Sequence, residues 1–216
     1  MFLLVATALA LMSAAMHIRA EYHGPRSHVY LFKPMTMLLI LLTAMSGLRA
    51  HASVRGSAII AGLVFCLVGD VFLMLPSDRF VAGLASFLVG HLAYTVAFTA
   101  GLGFSFSVRS LVPLAIYGAA IYMLLAPHLG KMRLPVLAYV VVILLMGWQA
   151  WERWNRVGAS GDLLALLGAL LFIFSDSVLA LDRFRAKFKT ARLLSLTSYF
   201  CAQWLIASSL GQDLQF

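Results

Sequence analysis

Ala138-Tyr-Val-Val-Val-Ile-Leu-Leu, residues 138–145, is apolar on every face of any regular structure built from it. Met37-Leu-Leu-Ile-Leu-Leu, residues 37–42, has the same character. A transmembrane β-strand instead alternates apolar and polar residues over about 10 positions. The two runs therefore argue against a barrel and favour helices that cross a bilayer.

The composition of the whole chain supports the same conclusion. Of 216 residues, 62% are hydrophobic and 11% are charged, whereas a soluble domain carries roughly 25% charged residues. A membrane-spanning helix needs about 20 mostly apolar residues. We predict an all-α fold, a polytopic transmembrane bundle of about eight helices with short loops, in one domain over 1–216. The predicted spans are 1–19, 33–50, 56–75, 80–101, 108–126, 134–151, 161–181 and 192–211.

The distribution of Lys and Arg predicts the orientation of the chain. Eleven of the 16 fall in the odd-numbered loops, and the positive-inside rule places such loops in the cytoplasm. We therefore expect a multi-pass protein with both termini outside, in the inner membrane if the source is bacterial. The first span lacks the leading positive charge of a signal peptide, so we expect it to be retained. Anionic lipid headgroups can balance the net charge of +8, so the charge does not call for a nucleic-acid partner.

Two acidic residues lie within predicted spans, where ionisable side chains are costly and usually functional. Asp70 follows Val-Gly and Asp176 follows Phe-Ser, each between apolar runs. Each run is also followed by Asp-Arg-Phe, at 78–80 and 182–184, which suggests a weak internal repeat of spans 3 and 7. Both acids are predicted about six residues from a helix end, or roughly 9 Å deep. They could therefore share one pocket on the odd-loop side.

Other polar side chains are expected in the same half of the membrane. Lys33 is placed at the start of span 2, and Tyr139 about one turn into span 6. The remaining four lie on spans 4 and 8 as pairs that share a helix face, three or four residues apart: His91 with Tyr94, and Tyr199 with Gln203. The sequence shows no second cluster of polar residues. Asp162 is placed at a helix start, where a capping role is expected.

Each of these residues has a plainer interpretation. A buried Tyr or Gln often only satisfies a neighbouring helix, and Lys33 could extend its amine to the headgroups. Cys66 and Cys201 fall within spans, where buried thiols are expected rather than a disulfide. No metal-ligand spacing is present, so we expect neither a metal nor a cofactor.

The order of these residues resembles the YhhN family of membrane lysoplasmalogenases, found in bacteria and animals. The resemblance rests on short motifs spread over nearly the whole chain: Lys33-Pro34, Gly69-Asp70-Val-Phe-Leu-Met, Gly83 through His91 to Tyr94, Pro135 through Tyr139 to Met146 and Trp148, Gly168-Ala-Leu-Leu-Phe through Ser175-Asp176, and Tyr199 through Ala202-Gln203.

The resemblance implies cleavage of the vinyl-ether bond of lysoplasmalogens, giving a fatty aldehyde and glycerophosphoethanolamine or glycerophosphocholine. Such cleavage needs an acid that protonates carbon, a negative charge near the oxocarbenium ion and an activated water, which two carboxylates can supply as in glycosidases. We expect Asp70 and Asp176 to share these roles, in an order the sequence leaves open. His91 and Tyr94 would then orient an Asp or the water.

The expected partners are a lysophospholipid substrate and the surrounding membrane lipids. Lys33 would bind the lipid phosphate, while Tyr139, Tyr199 and Gln203 would complete the substrate site. The alternative is a proton-coupled transporter that uses the same Asp pair as a proton relay. The oligomeric state is left open.

Overall fold

The computed structural model describes residues 2–48 and 53–212. Within these ranges it contains eight long helices and no strand, and all eight are long and apolar enough to cross a membrane. The helices are α1 Phe2–His23, α2 Arg26–Gly47, α3 Val54–Met74, α4 Phe80–Thr99, α5 Val108–Leu125, α6 Arg133–Val157, α7 Ser160–Ala180 and α8 Ala191–Ser208. The predicted all-α membrane bundle is confirmed.

Some sequence predictions fall on residues that the structure does not describe. Met1, the last two residues of the predicted second span and Arg49 of the orientation count lie outside the described ranges. That 1–216 is one domain, and that the odd-numbered loops face the cytoplasm, stay predictions.

The start of α2 differs from the prediction. The helix begins at Arg26 after Pro25, seven residues before Lys33, and it contains Pro34 in its interior. The extra two turns carry Arg26 and His28, so a search for apolar runs does not include them. Neighbouring helices make an internal proline tolerable within a membrane bundle. Lys33 therefore lies about 10 Å inside the helix and not at its end.

Helices α3 and α4 approach each other closely because glycines face both aromatic rings and backbone. A Cβ on Gly62 would lie 2.3 Å from Cε1 of Tyr94, and one on Gly90 would lie 3.2 Å from the carbonyl oxygen of Gly62. The Ser86 hydroxyl donates to the Phe65 carbonyl oxygen across the same contact at 2.6 Å. Small residues allow this approach in membrane helices. The contact fixes the position of the buried Tyr94 ring.

A second set of buried charges lies on the even-loop side, which corrects the expectation of a single polar cluster. Asp162, in the first turn of α7, forms an ion pair with Arg55 at 3.0 Å and accepts a hydrogen bond from Nε of Arg153 at 2.6 Å. It is 1% exposed, so it ties α3, α6 and α7 together rather than merely capping its helix. Nearby, the Ser110 hydroxyl donates to the buried Glu152. The sequence hid this cluster because each residue sits at the edge of a predicted span.

A packed apolar layer separates the even-loop cluster from Asp70 and Asp176. Ile59 and Leu63 lie between Arg55 and Asp70 on α3, and Ala169 and Phe172 lie between Asp162 and Asp176 on α7. All four side chains are at most 1% exposed. The two polar regions are thus distinct sites at opposite ends of the bundle.

We expect Gly62→Ala to destabilise the protein, because the added methyl group must displace the buried ring of Tyr94. Overpacking of this kind costs about 1–3 kcal/mol. The midpoint of thermal unfolding in detergent should fall clearly below that of wild type. Gly211→Ala is the matched control, since a Cβ there meets no atom within 4 Å. Equal midpoints for the two variants would contradict the close α3–α4 contact.

Candidate active site

All eight side chains singled out in the sequence lie in one region of the bundle. They come from six helices: Lys33 from α2, Asp70 from α3, His91 and Tyr94 from α4, Tyr139 from α6, Asp176 from α7, and Tyr199 and Gln203 from α8. Asp70 and Asp176 each lie four residues before the end of their helices, at Met74 and Ala180. Their depth is therefore about 6 Å, somewhat less than predicted.

Asp70 is enclosed by two partners from other helices. The Lys33 ammonium lies 3.0 Å from Oδ1 of Asp70, and the Tyr199 hydroxyl donates to Oδ2 at 2.6 Å. The carboxyl is 1% exposed and Lys33 is 8% exposed. Lys33 is thus committed to a buried ion pair that joins α2, α3 and α8. Such a pair needs both charges and further hydrogen bonds to offset desolvation.

Asp176 has different surroundings. Its Oδ2 accepts a hydrogen bond from the Tyr139 hydroxyl and lies 3.5 Å from Nε2 of His91. The same His91 nitrogen is 2.8 Å from the Tyr139 hydroxyl. Within the described residues no Lys or Arg pairs with Asp176, and its side chain is 15% exposed. The two acids therefore differ both in counter-charge and in access.

The other ring nitrogen of His91 is unsatisfied. Nδ1 is buried and has no hydrogen-bond partner among the described residues. A buried polar atom of this kind is costly unless water or a ligand reaches it. His91 therefore has one nitrogen directed to the Asp176–Tyr139 pair and one that can serve a further group.

Aromatic rings connect the two acidic groups. The Phe172 centroid lies 4.6 Å from that of His91 and 5.4 Å from that of Tyr199, both edge to face. The Tyr94 hydroxyl donates to Oε1 of Gln203 at 2.6 Å, one layer deeper in the bundle. The space between the acids is thus apolar and close-packed, with polar atoms directed to its edges.

Asp176 lines a narrow apolar slot of about 60 Å³ between α4, α5, α6 and α7. The walls include Leu84, Ile143 and Ile173, and Tyr139 and Asp176 are among the few polar residues that line it. Asp70 does not line the slot. An apolar pocket with a few convergent polar groups is the usual form of a small-molecule site.

A much wider cavity, which we call the vestibule, opens on the odd-loop side with a volume of about 930 Å³. Leu73, Phe80 and Leu179 line both the vestibule and the slot, so the two cavities adjoin. Lys33 lines the vestibule as well. The charged residues around it comprise seven cations and three acids: Arg26, Lys33, Arg79, Arg183, Lys187, Lys189, Arg192, Glu21, Asp78 and Asp182.

The two Asp-Arg-Phe segments noticed in the sequence contact each other where the cavities meet. Arg183 forms an ion pair with Asp78 and lies over the Phe80 ring, 4.9 Å from its centroid. Phe80 and Phe184 pack edge to face at 5.5 Å. The second segment lies in a π-helical turn, Leu181–Arg185, that extends α7. The two segments thus form one contact, which we call the clasp, while the internal repeat stays a prediction.

Sequence reasoning missed the aromatic residues of the site. Phe172 precedes Asp176 by four residues and Phe87 precedes His91 by four, so each shares a helix face with a polar residue already identified. That spacing was the available signal. It was hidden because phenylalanines in a membrane span are expected on every face.

Comparison with known proteins places this geometry in a family. The family model for YhhN matches residues 28–210, a range that includes all eight site residues. The chain belongs to the YhhN family. A membrane protein named YhhN from Escherichia coli O6:H1 is 30% identical over 199 residues, covering 92% of this chain and 95% of the relative.

Mammalian relatives carry an enzyme name. Lysoplasmalogenase TMEM86A from Bos taurus is 37% identical over 177 residues, covering 80% of this chain and 72% of the relative. Lysoplasmalogenase TMEM86B from Homo sapiens is 38% identical over 149 residues, covering 68% and 60%. No solved structure matches. The YhhN family thus includes proteins named for hydrolysis of lysoplasmalogens.

Metal-binding side chains do not cluster in the described part of this YhhN-family chain. Among residues 2–48 and 53–212, no group of three or more His, Cys, Asp or Glu side chains could hold a metal ion. Cys66 is a buried free thiol and Cys201 an exposed one, so neither forms a disulfide.

We expect Lys33→Met to destabilise the protein more than the double variant Lys33→Met/Asp70→Asn. The single variant leaves the Asp70 carboxylate buried and unpaired, which typically costs about 3–5 kcal/mol. The double variant also removes the unpaired negative charge of Asp70. Thermal unfolding in detergent measures both. If the double variant unfolds at or below the midpoint of Lys33→Met, the ion pair does not have the importance assigned to it.

The clasp ion pair should respond to acid. Arg183 lowers the pKa of the exposed Asp78 carboxyl by donating a hydrogen bond to it. A carboxyl whose pKa is lowered on folding stabilises the folded protein at pH values above the ordinary aspartate pKa of about 4. This stabilisation is lost as the pH falls through the lowered pKa. Asp78→Asn should therefore unfold slightly earlier than wild type at pH 7. The difference should shrink on acidification and in high salt; a difference independent of both would contradict the pairing.

Proposed function

We propose that this chain is a membrane lysoplasmalogenase that hydrolyses the vinyl ether of 1-alkenyl lysophospholipids, with Asp176 as the acid. The observation that carries the proposal is the position of the Asp176 carboxyl at the wall of an apolar slot, beside Tyr139 and His91. The lysoplasmalogenase names of the mammalian relatives support the substrate class.

The first step is proton transfer to carbon. Protonated Asp176 gives its proton to the alkenyl carbon remote from the ether oxygen, and the π-electrons of the double bond form the new C–H bond. The ether oxygen then shares the positive charge as an oxocarbenium ion, and Asp176 becomes a carboxylate next to it. Apolar walls make that electrostatic stabilisation stronger than it would be in water.

The second step adds water. A water molecule attacks the oxocarbenium carbon and loses a proton to the Asp176 carboxylate, which restores the acid. The resulting hemiacetal releases the glycerol oxygen with a proton and leaves a fatty aldehyde. His91 is suited to orient this water, because its Nε2 faces Asp176 and Tyr139 while Nδ1 has no partner within the described residues.

Asp70 has a different role in this proposal. It does not line the slot, and Lys33 supplies its counter-charge at 3.0 Å. We therefore infer that the Lys33–Asp70 pair fixes α2, α3 and α8 beside the helices that form the slot and directs the Tyr199 hydroxyl. Asp70 is then a positioning residue, and the acid–base exchange takes place on Asp176 alone. Tyr94 and Gln203 support the same packing from one layer deeper.

A proton-coupled transporter is the other candidate function. The even-loop cluster around Asp162 gives it one supporting observation, since a transporter needs polar groups near both faces. Against it, Asp162 in that cluster is already paired with Arg55 and Arg153. On α3 and α7, buried apolar side chains that include Leu63 and Phe172 also lie between the two clusters. The hydrolase is therefore the better-supported proposal.

The first test is aldehyde release from lysoplasmenylethanolamine by the purified protein in detergent. Asp176→Asn should lower kcat by about 10²–10⁴, the range of a general acid–base contribution, with a smaller change in KM. Asp70→Asn should lower activity and thermal stability together. Ser175→Ala is the matched control on the same helix turn, since Ser175 donates only to the Ser195 carbonyl oxygen. It should retain activity.

The proton step has its own signature. Hydrolysis in D₂O should place one deuterium on the α-carbon of the aldehyde, the carbon next to the carbonyl group. The label is measured by mass spectrometry after the aldehyde is trapped rapidly. Absence of that label would reject protonation at carbon. A folded wild-type protein that releases no aldehyde, in detergent and in liposomes, would reject the hydrolase and favour the transporter.

A further inference from the structure

We propose that the vestibule is a phosphate-binding site, in which Arg26, Arg79, Lys187 and Lys189 hold the phosphate of a single-chain lipid whose tail begins in the slot. The identity of this lipid as a lysophospholipid rests on the proposed function. The phosphate site itself rests on the charge and shape of the vestibule. Lys33, the residue expected from the sequence to bind phosphate, contributes less because Asp70 already compensates its charge.

The argument begins with which cations are already paired. Three of the seven around the vestibule have carboxylate partners: Lys33 with Asp70, Arg183 with Asp78, and Arg192 with Glu21. Arg26, Arg79, Lys187 and Lys189 have no carboxylate partner among the described residues. Arg79 donates only to the Ser77 hydroxyl at 3.3 Å. The cavity thus keeps a surplus of positive charge that an anion can neutralise.

The loop that carries two of these cations is held in place. The Tyr22 hydroxyl donates to the Lys189 carbonyl oxygen at 3.0 Å and accepts from the Leu193 amide at 3.1 Å. The Phe188 amide donates to Oδ1 of Asp182 at 3.1 Å. Lys187 and Lys189 are therefore presented by an ordered loop, which lowers the entropic cost of binding.

The shape of the two cavities matches an amphiphile with one tail. The vestibule is wide and basic, while the adjoining slot is narrow and apolar, and Phe80 lines both. A phosphate in the vestibule leaves the glycerol and the first carbons of the chain at the clasp, close to Asp176. Arginine and lysine both bind phosphate through charge-assisted hydrogen bonds. The arrangement therefore selects for a phosphate and a single chain together.

Membrane proteins also carry basic loops for orientation alone, so the test needs a charge-matched control. The test variant is Arg26→Gln/Lys187→Gln. The control is Lys131→Gln/Arg185→Gln, which removes two exposed cations from the same side of the bundle outside the vestibule. Both variants lose the same net charge, so a general loss of attraction to lipid affects them equally.

The probe is 1-O-hexadecyl-glycerophosphoethanolamine, a saturated ether lipid that has no vinyl ether to cleave, beside 1-O-hexadecylglycerol, which lacks the phosphate. Binding to the purified full chain is followed by the rise in the midpoint of thermal unfolding with ligand concentration. Wild type and the control should bind the phosphate-bearing lipid at least about tenfold more tightly than the alcohol, as expected for charge-assisted contacts. The test variant should lose most of that difference.

Inorganic phosphate and glycerophosphoethanolamine form the second arm. Binding by either at the affinity of the intact lipid would reduce the vestibule to a general anion site and overturn the single-lipid proposal. An unchanged preference in the test variant, or an equal loss in the control, would overturn it as well. Because the probe is not a substrate, loss of the proposed hydrolase activity would leave this result intact, and the two proposals can fail separately.

Discussion

The ion pair between Lys33 and Asp70 is the contact on which the arrangement of the site depends. Neither charge is stable alone inside a membrane bundle, so each requires the other and the helices that carry them. The pair joins α2 to α3, and the Tyr199 hydroxyl adds α8. This leaves α4, α5, α6 and α7 to form the slot around Asp176. A buried ion pair on one side of the site therefore lies next to a more accessible carboxyl on the other.

The two acids are the same chemical group in two different environments. Asp70 is fully enclosed and has a lysine partner, while Asp176 is partly accessible and has only Tyr139 and His91 beside it. Environments that differ in this way separate the behaviour of two carboxyl groups without any change in residue type. The similar sequence motifs around the acids gave no indication of this difference, because it arises from helices α2 and α6.

Each sequence pattern predicted only the structural feature that it directly reflects. Hydropathy located the eight helices, because their apolar runs are long and uninterrupted. It misplaced the start of α2 by seven residues, since Arg26 and His28 lie outside the apolar run although Pro25 sets the helix start. The positions of the eight polar residues within the predicted spans placed their side chains at one end of the bundle. Residue positions along the helices do not predict which charged side chains form ion pairs. That Lys33 pairs with Asp70, and Asp162 with Arg55 and Arg153, depends on how the helices rotate and pack.

The apolar layer between the two polar clusters affects how protons can move through the protein. Membranes that store energy as a proton gradient lose it through any protein with a continuous chain of exchangeable protons. Here Leu63 and Phe172, both at most 1% exposed, stand between the acid site and the far cluster. In the proposed mechanism, protons taken up and released at Asp176 return through the adjoining vestibule to one side of the membrane, so this acid–base site does not act as a leak.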